Sequence, residues 1–187
     1  ATENGMIRTV AEWIAAGKDV NATDDDGQSA LHIAAYNSDA PITKLLLEHK
    51  ADPNVTGPSG QTPLHAAAEV GATAVAAMLL AAKADVSPLD NSAYSPLHAA
   101  AWNNHPRTAM LLLHHGAKVD ARTDDGDTPL YRAAFRGHDK VALVLLAHGA
   151  DRTATNAAGL SPIDIANSDI ERLTHKKAVA ALLATEQ

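Results

Sequence analysis

His32, His65 and His98 stand at steps of 33 residues. Imidazole is the side chain best suited to ligate zinc or to move a proton near neutral pH. The chain holds ten histidines, together with the acidic runs Asp24-Asp25-Asp26 and Asp124-Asp125. Two chemistries are therefore open, a metal centre and acid–base catalysis by paired carboxylates. Neither pattern closes. If each 33-residue step is one packed helical unit, successive histidines lie roughly 10 Å apart, whereas zinc ligands sit about 2 Å from the metal. Tyr131 and Asp164 take the same slot further along, so no ladder of like ligands continues. His114 and His115 are adjacent and point apart on a helix. No cysteine nucleophile, G-x-S-x-G elbow, H-E-x-x-H pair or glycine-rich phosphate loop occurs. The acidic runs fall one slot before an apolar motif, where a solvated turn or a charged contact to a partner is expected. The reading is a protein with no catalytic residue, no metal and no cofactor.

Composition narrows the partners. The net charge is −7 over 187 residues, which argues against nucleic acid, since that footprint needs clustered Lys and Arg. The densest basic stretch, Arg172 to Lys177, is broken by Leu173 and Thr174 and reads as a solvated helix end. Without cysteine there is no disulfide and no thiolate metal site. No apolar run approaches the roughly 20 residues of a membrane span, so no membrane partner is expected. The chain opens Ala1-Thr2-Glu3-Asn4 without Met. That start is expected from a removed signal peptide or from trimming. A signal peptide would place the chain in a periplasm or outside the cell; otherwise it is cytoplasmic.

The elements that carry these residues follow a strict repeat. Ser29, Thr62, Ser95, Thr128 and Ser161 open five short apolar runs, each 33 residues after the last. The runs include Thr62-Pro63-Leu64-His65-Ala66-Ala67-Ala68 and Ser95-Pro96-Leu97-His98-Ala99-Ala100-Ala101. A period of this size marks a solenoid, whose units are too small to bury a core alone and stack on their neighbours. The pattern resembles the ankyrin repeat, with its hallmark T-P-L-H-x-A-A, from about Gly5 to Leu183. The expected fold class is all-α, an α-solenoid of stacked helix-turn-helix repeats joined by short β-hairpin loops.

The copy from Asp124 to Thr153 shows how one unit should work. Thr128 caps an inner helix that starts at Pro129 and ends at a left-handed Gly137. Leu130, Ala133 and Ala134 face the stack. An outer helix runs from about Asp139 to Ala147, buries Val141, Leu145 and Leu146, and ends at Gly149. Other copies fill the glycine slots differently. Ser38 and Asn104 replace the inner terminator, Lys50 and Lys83 the outer one, and Ala93 the hairpin glycine. Asn tolerates left-handed backbone and Ser does so less well, and a lysine, if it is left-handed at such a slot, costs about 1 kcal/mol relative to glycine.

The units divide as residues 1–22 (a half repeat, either a cap or a truncated copy), 23–55, 56–88, 89–121, 122–154 and 155–187. In the first, Gly5 matches Gly137, so residues 1–4 should be the last turn of an inner helix, with an outer helix over Ile7 to Ala16. In the last, Leu182 and Leu183 match Leu145 and Leu146 only with about four inserted residues between Asn167 and Lys177.

The resemblance implies a binding surface on the concave face, built from hairpin tips and the last turn of each inner helix. The inner-helix slots are Tyr36-Asn37, Glu69-Val70, Trp102-Asn103, Phe135-Arg136 and Ser168-Asp169. The tips supply Asp25, Asp26, Gln28, Ser59, Gln61, Asn91, Ser92, Tyr94, Asp124, Asp125 and Asp127. Tyr36, Trp102 and Phe135 share one slot and Tyr94 lies beside it, so four of six aromatics fall on this face. Exposed rings are enriched at binding hot spots. The expected partner-binding residues are Tyr36, Asn37, Glu69, Tyr94, Trp102, Asn103, Asp124, Asp125, Asp127, Phe135 and Arg136. The expected function is non-catalytic binding of another protein by a monomer, as an inhibitor or immunity-type partner of a bacterial enzyme. The alternative is a regulatory segment of a larger enzyme or effector.

Overall fold

Four of the five inner helices begin where a hydroxyl residue and a proline stop extended chain and start a turn; the first has Ser29 followed by Ala30. Ser95 lies in extended backbone and its Oγ accepts from His98 N, while Pro96 takes the first helical position. There its missing N–H costs nothing. Thr128 and Pro129 repeat the arrangement, with Tyr131 N donating to Thr128 Oγ1 at 3.1 Å. The computed structural model describes residues 3–167 and 174–184, which contain eleven helices. The inner helices are α2 (Ala30–Tyr36), α4 (Pro63–Val70), α6 (Pro96–Trp102), α8 (Pro129–Arg136) and α10 (Pro162–Asn167). The outer ones are α1 (Glu3–Ala15), α3 (Ala40–Glu48), α5 (Thr73–Ala81), α7 (Pro106–His114), α9 (Asp139–Ala147) and α11 (Thr174–Ala184). Inner packs on inner, outer on outer, and each pair on itself, so the fold is a helical solenoid.

The core repeats with the sequence. Leu31, Leu64, Leu97 and Leu130 are buried on the inner helices, and Leu46, Leu79, Leu112 and Leu145 on the outer ones. The Ala-Ala pairs Ala67-Ala68, Ala100-Ala101 and Ala133-Ala134 are fully enclosed. Their small side chains let short helices approach closely. Val141 and Leu145 are buried as expected, whereas Leu146 is half-buried at the edge of the core. Leu183 is buried and Leu182 half-buried in α11.

The histidines of the motif are structural. His98 Nδ1 accepts from Ser95 N at 3.2 Å, so its proton sits on Nε2, which donates to Asp127 O of the next unit at 3.0 Å. His32 and His65 do the same toward Gln61 O and Tyr94 O. Asp164 replaces the imidazole in the last unit and accepts from Ser161 N at 2.8 Å. On the other edge of the stack, Asn21 accepts from Asp52 N and Asn54 from Asp85 N. A third line runs from His105 Nε2 to Glu69 O and from His138 Nε2 to Trp102 O, so successive units are sewn together along three lines.

All five substituted glycine slots have left-handed backbone: φ is 58° at Ser38, 65° at Lys50, 72° at Lys83, 55° at Ala93 and 59° at Asn104. The start of the chain differs from expectation. Gly5 lies inside α1, which runs unbroken from Glu3 to Ala15, so no inner-helix turn ends there. The loops also differ. Each is a tight turn closed by two backbone bonds, as where Tyr94 O accepts from Asp90 N and Asp90 O from Ala93 N. The described residues contain one isolated antiparallel bridge, between Thr23 and Ser29. Further backbone bonds go sideways to the neighbouring turn: Asn91 N to Ser59 O, Asp124 N to Ser92 O, Ala157 N to Asp125 O. The turns thus bond both within themselves and to their neighbours. The insertion expected after Ala166 falls largely on residues 168–173, outside the described residues.

Candidate functional site: the groove between inner helices and turns

The turns and the ends of the inner helices enclose an open groove of ≈ 610 Å³. Its floor comes from the variable x position of the motif, Ile33, Ala66 and Ala99. One wall is the last helical turn, with Tyr36, Glu69, Trp102 and Asn103; the other comes from the turns, with Gln28, Gln61 and Tyr94. Tyr36 is 55% exposed and Glu69 is exposed. Asn37 is exposed one residue beyond Tyr36, and Asn103 Nδ2 donates to Ala99 O at 3.1 Å.

At the far end the aromatics form one cluster. Trp102 and Phe135 stack with ring centroids 5.7 Å apart and planes at 14°. The Arg136 guanidinium lies 4.9 Å from the Trp102 ring centre. Arg132 lies 5.3 Å from Trp102 and 5.6 Å from Tyr94. Cations over ring faces contribute roughly 0.5–2 kcal/mol each, more when desolvated. Phe135 stays 43% exposed. Trp102 and Phe135 therefore present one surface, and Tyr36 stands apart at the opposite end.

Two expected contact residues occupy different environments. Asp127 is buried at 7% exposure. Its Oδ2 lies 3.1 Å from Arg132 Nε in an ion pair off the hydrogen-bond line, and its Oδ1 accepts from Asn156 Nδ2 at 2.9 Å. Arg132 and the next turn close over it, so it holds Arg132 rather than offering a free carboxylate. Tyr94 is half-buried and donates its hydroxyl to His98 O at 3.1 Å. Burial, above all, pushes its phenol up to about 12. Its ring edge lines the groove while its polar end belongs to the scaffold. Asp124 and Asp125 are exposed at the turn tip as expected. Ser168 and Asp169 lie outside the described residues.

Arg132 is the residue that sequence reasoning passed over. The motif's x slot reads Ile33, Ala66, Ala99, Arg132 and Ile165, and a single charge in that row was the available signal. Among the described residues no group of three or more His, Asp or Glu gathers at metal-binding distance. No described helix is long and apolar enough to cross a membrane. The motif histidines are held neutral: burial drives His32 and His65 down, and takes His98 to about 4.

Known proteins share this pattern. Residues 1–90 and 82–156 match the family model described as ankyrin repeats in three copies. A stretch of 53 residues is 53% identical to part of "Palmitoyltransferase akr1" from Schizosaccharomyces pombe, over 28% of this chain and 8% of that protein. Another of 49 residues is 41% identical to part of "L-asparaginase" from Dirofilaria immitis, over 26% of this chain and 8% of that protein. The chain thus spans a small fraction of either relative. With the repeat, the histidine links and the stacked helix pairs in place, this chain belongs to the ankyrin-repeat family, whose repeats generally mediate protein–protein interaction.

Proposed function

We propose that this chain is a non-catalytic scaffold that holds a partner protein in the groove. The observation that carries the reading is the cluster at its end: Trp102, Phe135 and Arg136 are stacked on one another yet open to solvent on one side. Rings and guanidinium groups so ordered lose little freedom on binding, and these residue types dominate interface hot spots. The finer form of the reading is an inhibitor-type or immunity-type partner of a bacterial enzyme. A scaffold without catalytic groups acts on an enzyme by covering it. The test is affinity capture of the partner from the source cell, followed by calorimetric titration of variants. Trp102→Ala and Phe135→Ala should each weaken binding at least about 30-fold. Lys140→Ala, on the outer surface, should bind as wild type. Wild-type affinity in both ring variants overturns the assignment of the groove.

A second reading rests on the two relatives, each a far longer protein named as an enzyme and matched over a short part. It makes this chain a regulatory segment of a larger protein. The source gene separates the two: a catalytic domain in the same reading frame favours the segment.

A further inference from the structure

We propose that the Arg132–Arg136 end of the groove is a carboxylate-recognition subsite. It takes an Asp or Glu side chain from an extended, otherwise apolar segment of the partner protein. The inference rests on the groove reading and adds the chemistry of what enters it.

Arg132 is fixed on three sides. Asp127 holds its Nε edge, and the Tyr94 and Trp102 rings flank the guanidinium at 5.6 and 5.3 Å. Asn156 in turn orients Asp127. The two Nη groups make no hydrogen bond among the described residues. A guanidinium with one edge paired and its fork unused matches a carboxylate in bidentate geometry. Arg136, exposed over the same indole, adds a second cation. The chain as a whole carries −7. The two guanidinium groups therefore stand against a negative background that includes Glu69 and Asp90, both of which act on Tyr94.

The shape of the occupant follows from the floor. The x-slot residues advance by one unit at a time, roughly 10 Å. An extended chain covers that distance in about three residues. The floor is Ile33, Ala66 and Ala99 before Arg132 is reached. A segment lying along it meets apolar surface first and a cation at the end.

The test is selection of a displayed random dodecapeptide library on the intact chain. Enriched peptides are then synthesised and titrated by fluorescence anisotropy. Peptides carrying Asp or Glu beside apolar residues should dominate, and replacing that acid by its amide should weaken binding at least about 10-fold. Arg136→Gln, at an exposed site, and Arg132→Gln should each weaken the acidic peptide and leave the amide peptide unchanged. Arg132→Lys, which keeps charge but loses the fork, should restore binding only partly. If Arg132→Gln fails to fold, Arg136→Gln alone decides. Peptides that lose binding on Trp102→Ala but ignore both arginines and the acid-to-amide change overturn the subsite and leave the groove reading standing. Enriched peptides indifferent to Trp102→Ala overturn both.

Discussion

At the residue scale, the informative positions are those where side chain and backbone disagree. Lys50 and Lys83 adopt φ of 65° and 72° at slots where Gly116 and Gly149 end equivalent helices. A Cβ added at either glycine would meet nothing within 4 Å, so conformation alone sets the preference. Lys50→Gly and Lys83→Gly should each stabilise by a few tenths to about 1 kcal/mol, the gain being offset partly by a freer unfolded chain. Urea melts check this; a loss at both sites contradicts it. Thr43 poses the opposite problem. It is fully buried, its Oγ1 has no hydrogen-bond partner, and Ala76, Ala109 and Ala142 fill its slot elsewhere. A buried hydroxyl left unpaired costs about 1–3 kcal/mol. Thr43→Val keeps the shape, removes the hydroxyl and should raise stability by about 1 kcal/mol in the same melts. The lysines were legible because a period exposes its exceptions. Thr43 and Arg132 break their rows too, but what they do there was not legible, because burial and pairing depend on what the neighbouring units bring.

At the element scale, the two helices of the unit from Asp124 to Thr153 could be read almost to the residue. Thr128-Pro129 and Gly137 set both ends of α8, and α9 runs from Asp139 to Ala147 as its apolar spacing requires. Gly5 misled because its register match to Gly137 carried no sign of the surrounding chain, and α1 continues through it. The turns were legible as turns, but not their sideways bonding. That bonding makes the turn glycine a close-packed position as well as a conformational one. A Cβ on Gly60 would come within 2.7 Å of Asn91 Oδ1, and one on Gly126 within 3.0 Å of Ala157 N. Ala93 occupies the same slot at φ 55°, with Asp124 N of the next turn bonded to its neighbour Ser92. Ala93→Gly should therefore stabilise by a few tenths to about 1 kcal/mol. Gly60→Ala should destabilise by more than 1 kcal/mol, since it adds the same strain and a contact. Paired thermal melts that show Gly60→Ala without cost would mean that the turns do not pack as tightly as this.

At the scale of the whole molecule, stability is a sum of units and the links between them, and among the described residues five of those links pass through imidazole, at His32, His65, His98, His105 and His138. His32, His65 and His98 each donate from Nε2 to the next unit while Nδ1 accepts within its own. That bonding requires the neutral ring, and protonating Nδ1 would set its N–H against a backbone donor. Burial holds His98 down at about 4 against an ordinary value of 6.5. Arg132 adds to the depression, while the Asp127 carbonyl and the charge on Asp90 oppose it. Above pH 6.5 the ring is neutral in both folded and unfolded chains and the link is complete. Between pH 6.5 and 4 the unfolded chain takes up a proton that the folded one refuses, so stability falls as pH falls. His98 alone accounts for about 3 kcal/mol of that loss, from a shift of this size; His32 and His65 add in the same direction. Unfolding free energy from urea melts should thus be flat above pH 7 and drop steadily toward pH 4. His98→Gln should lower stability at pH 7.5, because the amide fits the two bonds less well, yet flatten the fall between pH 6.5 and 4. A His98→Gln curve that runs parallel to wild type across that window would show that proton uptake at this link does not govern acid sensitivity, and that the loss arises at the exposed carboxylates instead.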